Sequence, residues 1–270
     1  MSNSLGTALV TGASSGIGAV YADRLARRGH DLILVARRGD RLEKIADRLR
    51  RDTGRNVEVL VADLGASSGV ALVEKRLAND PSITLLVNNA GMARTASFVE
   101  LDPDEAGQMI QLNVTAPTRL AHAVAGTFAN RGSGTIINIA SVTALAPPTL
   151  VGGVYAATKA YLLTLTEALQ AELGPKGVTV QAVLPGATAT DIWSNIGIPL
   201  ESLPEEIVMS TEDMVDAALA GLDKGELVTI PALAEISLWQ DYEAARNAFD
   251  GKLSSKIPAA RYGEPAHRNA

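Results

Sequence analysis

The chain has 270 residues, 47 % apolar and 20 % charged, with 24 basic against 30 acidic side chains and a formal net charge of −6. That balance supplies a packed core of one or two domains, and the acidic excess argues against a protein that tracks nucleic-acid phosphates. The lack of cysteine removes disulfides, thiolate nucleophiles, zinc–thiolate centres and iron–sulfur clusters, and His30, His122 and His267 stand in no metal-ligating spacing or hydrolase motif.

The opening MSNSLGTALVTG shows no basic stretch followed by an apolar one and reads as the start of a mature cytoplasmic chain. Short β-branched runs then alternate with helical patterns. The runs are TALV (7–10), DLILVA (31–36), VEVLVA (57–62), TLLVN (84–88), TIINIA (135–140), TVQAVL (179–184) and LVTI (227–230). Most are continuously apolar, as strands covered on both faces are. Helical patterns lie near 16–28, 40–53, 66–79, 104–129, 154–173 and 211–224. Asp102-Pro103 and Ser210 with Asp213 mark helix starts, Gly174-Pro175 marks a stop, and Pro117 should kink or divide its helix. This alternation predicts repeated βαβ units: an α/β, Rossmann-like, doubly wound, seven-stranded parallel sheet with helices on both faces. No linker divides the first 230 residues, so one domain is expected over 1–230. The irregular stretch 186–210 reads as a functional lid. Residues 231–270 read as an extension that packs on the domain or on an oligomer interface and ends flexible; it carries one amphipathic candidate, 233–249. Residues 132–158 hold no Asp, Glu, Lys or Arg, but Pro147, Pro148, Gly152 and Gly153 interrupt them. They suit a buried strand and a pocket wall better than a membrane span.

TGASSGIG, residues 11–18, follows the first strand and opens the first helix. Gly12, Gly16 and Gly18 allow a sharp turn and a close approach to a pyrophosphate resting on free N–H groups at the helix start. The plainer alternative is a tight strand-to-helix turn. At the end of the second strand, where an acidic residue would grip the ribose 2′-hydroxyl of NAD, the chain reads Arg37-Arg38. Guanidinium forks suit a 2′-phosphate, which points to NADP(H). The alternative is two solvated arginines at a helix start.

YAATK spans 155–159, so Tyr155 and Lys159 share a helix face. A free phenol has a pKa near 10, and an adjacent ammonium would lower it. Tyr155 could then give a proton to an alkoxide or take one from an alcohol. Ser141 ends the fifth strand, at the sheet edge where ligands bind in open α/β folds.

At this point the sequence resembles the short-chain dehydrogenase/reductase (SDR) family over residues 5–230. The resemblance rests on TGASSGIG, Asp63-Leu64 after the third strand, NNAG at 88–91, Asn113, Ser141, YAATK and Pro185-Gly186. It implies Tyr155 as acid/base and Lys159 as the residue that lowers its pKa and bonds the nicotinamide ribose. Ser141 would hold the substrate oxygen, and Asn113 would help hold a relay water. On the cofactor it implies Gly12, Ser14, Ser15, Gly16, Ile17 and Gly18 at the phosphates. Arg37 and Arg38 would take the 2′-phosphate, and Asp63 with Leu64 the adenine. Asn89, Ala90 and Gly91 would line the adenosine side, while Asn88 serves the sheet. Pro185, Gly186 and either Thr188 or Thr190 would frame the nicotinamide, the usual spacing favouring Thr190. The family moves a hydride between nicotinamide C4 and a carbonyl carbon without a metal. A homodimer or homotetramer would use the helices at 104–129 and 154–173.

For the substrate, Ser141, Val142, Ile192 and Trp193 are candidates. Ile196, Ile198, Leu200, Leu145, Leu150 and Val154 could complete an apolar wall suited to a hydrophobic ketone, aldehyde or secondary alcohol. The rival is ordinary lid packing. Arg94 could meet an anionic substrate or stay solvated. The competing function is an NADP(H)-binding sensor or scaffold with little turnover; the intact Ser141, Tyr155 and Lys159 argue against it.

Overall fold

The computed structural model describes residues 5–146 and 152–262. Residues up to Pro231 form one compact unit and those from Ala232 a second. His267 and Leu150 lie outside the described residues.

The first unit is a seven-stranded parallel sheet. In chain order its strands are β1 Thr7–Thr11, β2 Asp31–Ala36, β3 Val57–Val61, β4 Ile83–Asn88, β5 Gly134–Ile139, β6 Val178–Val183 and β7 Val228–Thr229. The spatial order is β3-β2-β1-β4-β5-β6-β7. The apolar runs are explained by burial on both faces: Leu32 and Leu34 join one core cluster while Ile33 and Val35 join the other. The order reverses between β1 and β4, so a crevice opens beyond their carboxyl ends, where doubly wound folds bind ligands.

Helices α1 Gly16–Arg27, α2 Gly39–Thr53 and α3 Ser67–Asn79 connect the first four strands. The single helix expected at 104–129 is divided: α4 covers Pro103–Ile110, a π-helical turn covers Gln111–Thr115, and α5 covers Ala116–Arg131. Pro117 lies in the first turn of α5, where its missing N–H matters little. A π turn often marks a functional site, and Asn113 sits inside this one. Asp102 accepts from the Asp104 amide, as a proline-following cap should. Ser210 and Asp213 form the expected cap of the helix that starts at Thr211. Helix α6 runs Gly153–Leu173, a four-residue α7 Ile192–Asn195 lies in the lid, and α8 spans Thr211–Asp223. Among the described residues no helix is long and apolar enough to cross a membrane. The second unit holds α9, Ile236–Asn247, where Trp239 is buried and lies 5.4 Å from the Tyr242 ring.

Candidate active site

The glycine turn is fastened to the loop after β4 by one threonine. Thr11 donates its hydroxyl proton to the Val87 carbonyl at 3.2 Å and accepts the amides of Asn89 at 2.9 Å and Ala90 at 3.0 Å. The Asn89 side chain donates back to the Thr11 carbonyl at 2.8 Å. Close approach follows. A Cβ on Gly12 would stand 2.6 Å from the Asn89 amide nitrogen, and one on Gly18 would stand 2.5 Å from the Gly12 carbonyl oxygen. Gly12 also holds φ at +68°, where a side chain is strained. The first turn of α1 has no side-chain cap at Ser15. Its opening amides are thus available to an anion.

Arg38 donates to the Ser14 hydroxyl at 3.1 Å and to the Ser15 hydroxyl at 3.0 Å. That places its guanidinium on the glycine turn; both Arg38 and Arg37 are exposed. Asp63 is exposed and accepts the Gly65 amide at 2.9 Å. Leu64 is buried in one core cluster, and Ile17, partly buried, packs against the other. Asn88 donates to the Asn138 side chain at 3.0 Å and to the Pro117 carbonyl at 3.3 Å, which ties β4 to β5 and α5.

On the other side of the crevice, Ser141 begins a short turn and accepts the Thr143 amide at 3.2 Å. The next residue, Val142, bonds the Pro185 carbonyl at 3.0 Å, so the ends of β5 and β6 hold each other. Lys159 is buried and donates from Nζ to the Ile139 carbonyl at 2.9 Å. Its ammonium lies 5.7 Å from the Tyr155 ring centroid. Burial pulls the lysine down to about 8. Tyr155 does not show the lowering expected from Lys159: loss of water around the phenol pushes its pKa up, and a hydrogen bond with Ser141 opposes this.

Asn113 is likewise occupied. Its Nδ2 donates to the Met92 carbonyl at 2.8 Å and to the Thr158 hydroxyl at 3.1 Å, and its Oδ1 accepts the Met92 amide at 2.9 Å. No side-chain donor is left for a relay water. A Cβ on Gly91 would stand 3.3 Å from Asn113 Oδ1 and 3.6 Å from Lys159 Nζ, so the loop after β4 reaches the helix that carries Tyr155 and Lys159. Thr190 also closes on the glycine turn: its methyl would lie 3.2 Å from a Cβ on Gly16. Thr188 is instead buried, with its hydroxyl on the Gly186 carbonyl. The indole of Trp193 donates to the Thr188 carbonyl at 2.8 Å.

The substrate candidates gather less well. Val142, Ile192 and Trp193 are partly buried. Val154 lines an apolar hollow of about 480 Å³ with Phe98, Ile110, Val114, Ala157 and Thr158, to which no lid residue contributes. Arg94 pairs with Glu105 at 3.0 Å. Two members of the constellation, Thr11 and Thr158, escaped the sequence reading. Their signal was adjacency: each stands directly before a residue that was singled out, Gly12 and Lys159. Among the described residues no group of acidic or histidine side chains could hold a metal.

The model of one protein family, described as short chain dehydrogenase, matches residues 6–199. A short-chain dehydrogenase from Sphingobium yanoikuyae, solved in complex with NADPH, is 49 % identical and superposes with a TM-score of 0.93, covering 96 % of this chain and 100 % of that one. The bulky-bulky ketone specific alcohol dehydrogenase from Comamonas testosteroni is 47 % identical with a TM-score of 0.89, covering 96 % and 99 %. Human 17-beta-hydroxysteroid dehydrogenase type 3 is 35 % identical over 186 residues, 68 % of this chain and 59 % of the human protein.

Proposed function

The chain belongs to the short chain dehydrogenase family, and from that premise we propose that it is an NADP(H)-dependent oxidoreductase interconverting a bulky, apolar ketone and its secondary alcohol. The observation that carries the reading is the meeting of Ser141, Tyr155 and Lys159 at the sheet edge beside an uncapped glycine turn.

The residues present fit a phosphorylated dinucleotide. The tight turn that Gly12 and Gly18 permit, ending on the uncapped start of α1, would take the pyrophosphate on its backbone amides. Arg38, set on Ser14 and Ser15, and the exposed Arg37 would hold the 2′-phosphate. Asp63 and Asn89–Gly91 would face the adenosine, and Pro185, Gly186 and Thr190 the nicotinamide. When bound, the cofactor supplies the hydride. The protein supplies orientation and one proton. Ser141 holds the carbonyl oxygen by a hydrogen bond, and Tyr155 gives its Oη proton to that oxygen as negative charge develops. Lys159, still largely protonated near neutrality with a pKa of about 8, stabilises the phenolate left behind. The reading of a bulky ketone draws on the Comamonas testosteroni relative and on the apolar lid residues Ile192, Trp193, Ile196, Ile198 and Leu200.

The test is NADPH oxidation with a panel of ketones, by the natural chain and by Tyr155→Phe. The variant should bind NADPH normally and lose at least about 10³-fold in turnover. Full turnover by Tyr155→Phe, or NADPH binding without turnover of any ketone by the natural chain, would overturn the reading.

A further inference from the structure

The hydrogen bonds around Asn113 end on a residue that the reaction above does not use. Thr158 is buried and donates its single hydroxyl proton to the Tyr155 carbonyl at 2.7 Å. Its oxygen accepts from Asn113 Nδ2 at 3.1 Å. The directions are fixed by inventory. The hydroxyl has one proton, so the amide must be the donor. Turning the Asn113 amide over would set donor against the Met92 amide and acceptor against the Met92 carbonyl. One unbroken chain therefore runs from the Met92 backbone through the Asn113 side chain and the Thr158 hydroxyl to the backbone of Tyr155.

We propose that Thr158 is a positioning residue for the proton transfer: its hydroxyl locks the π-helical turn carrying Asn113 to the first turn of the helix carrying Tyr155 and Lys159. The proposal rests on the reading of Tyr155 and Lys159 as the reacting pair. A threonine bonding back to its own helix is common and by itself carries no function. The second partner gives the bond its consequence, and the same helix supplies a control. Thr166 bonds back to the Leu162 carbonyl at 2.7 Å and accepts from Asn138 Nδ2 at 2.9 Å. The device is the same, but Asn138 lies on β5 within the sheet. Thr166 thus fastens α6 to the core, whereas Thr158 fastens it to the rim of the site. Removing the Thr158 hydroxyl leaves a buried amide proton without an acceptor. Either the π turn or the start of α6 must move to recover it, and Tyr155 lies in that first turn.

Thr158→Val, Thr158→Ser and Thr166→Val would be compared with the natural chain and with Tyr155→Phe. Four readouts apply: ketone turnover, NADPH affinity by fluorescence titration, the pH profile of kcat/KM and the unfolding midpoint. Thr158→Val should lower kcat by about 10–100-fold, part of what a well-placed proton donor contributes. It should displace the pH profile and leave NADPH affinity within about threefold, since no phosphate contact changes. Thr158→Ser should return kcat to within about threefold of the natural value, because the hydroxyl is restored. Thr166→Val should lower the unfolding midpoint and leave the pH profile in place. If Thr158→Val does not fold, Thr158→Ala against Thr158→Ser isolates the same hydroxyl. The proposal is overturned by natural kcat and pH profile in a variant lacking the hydroxyl. It is equally overturned if Thr158→Val and Thr166→Val lose kcat in step with stability and serine fails to rescue. Tyr155→Phe separates the two levels: full activity there removes the parent reading, whereas its loss beside an unaffected Thr158→Val removes this proposal alone.

Discussion

The glycine turn and the segment after β6 border one crevice, yet they are held in different ways. At the turn, Thr11 and Asn89 stitch two strand ends together, and Gly12 and Gly18 leave no room even for a methyl group. The lid is tied mainly at its ends. Met209 bonds the backbone of Ala187 at 2.9 Å and Ala189 at 3.0 Å, and Thr211 holds the Ala189 carbonyl at 2.6 Å. Among the described residues, the hydrogen bonds of 195–208 stay within residues 191–208 of the lid. One region is built to a single shape. The other is a span between two posts, with apolar side chains inside it. Binding a constant cofactor suits the first arrangement, and adapting to a bulky substrate suits the second.

The harshest way to break this comparison is Gly18→Ala. Its Cβ would meet the Gly12 backbone, which cannot swing aside as a side chain would. NADPH affinity should fall by more than about 100-fold, an overpacking cost on the order of 3 kcal/mol. Isothermal titration checks this. Affinity within a few-fold of the natural chain would show that the turn is not rigid.

Arg38→Ala should follow. Losing one charge-assisted contact costs about 1.5–3 kcal/mol, roughly ten- to hundred-fold. The loss should fall on NADPH and spare NADH, with Arg37→Ala the weaker of the two because its guanidinium has no place on the glycine turn. Equal losses for both cofactors would remove the phosphate argument. The sequence offered two adjacent arginines and no contact by which to rank them; the bonds from Arg38 to the Ser14 and Ser15 hydroxyls are the ground for expecting the larger effect there.

Lys159 is held down at about 8, so its ammonium is present below that pH and is lost as pH rises through it. Ketone reduction needs that charge to stabilise the phenolate, so kcat/KM should be level toward neutrality and decline above about pH 8. Arginine stays protonated throughout. Lys159→Arg should move the decline upward by more than about two pH units, even if its rate is lower. An unchanged decline would assign it to another group.

What was legible from residue order follows the same division. The central strands were readable because burial on both faces leaves continuous apolar runs; DLILVA is Asp31–Ala36 to the residue, whereas the edge strand β3 exposes Glu58 and Val61 and shows in its β-branched residues instead. The glycine turn and YAATK were readable because tight backbone approach and a shared helix face impose fixed spacings. The π turn at Gln111–Thr115 was not readable, since Pro117 marks an interruption but not its kind. Nor was the engagement of Lys159 with the Ile139 carbonyl, which spans 20 positions and depends on how α6 lies on β5. In the lid, Ile192, Trp193, Ile196, Ile198 and Leu200 identify an apolar segment. They do not fix its wall, because no spacing rule governs a loop whose bonds are its own.

Trp193 is where the lid can be tested without dismantling it. Its indole donates to the Thr188 carbonyl at 2.8 Å, and its own carbonyl accepts the Ile198 amide at 2.9 Å. Trp193→Phe keeps an aromatic ring and removes only the N–H. The Thr188 carbonyl then keeps the longer contact from the Thr190 hydroxyl, at 3.4 Å. A net hydrogen bond of this kind contributes about 0.5–1.5 kcal/mol, so KM for a bulky ketone should rise roughly two- to tenfold while kcat holds. NADPH affinity should stay put, because Thr190 meets the glycine turn through its methyl, which the substitution does not touch. Steady-state kinetics on a bulky and a small ketone complete the test. The small ketone, needing less of the lid, should be less affected. If Trp193→Phe weakens NADPH as much as the bulky ketone, the two regions act as one and the contrast between them is lost.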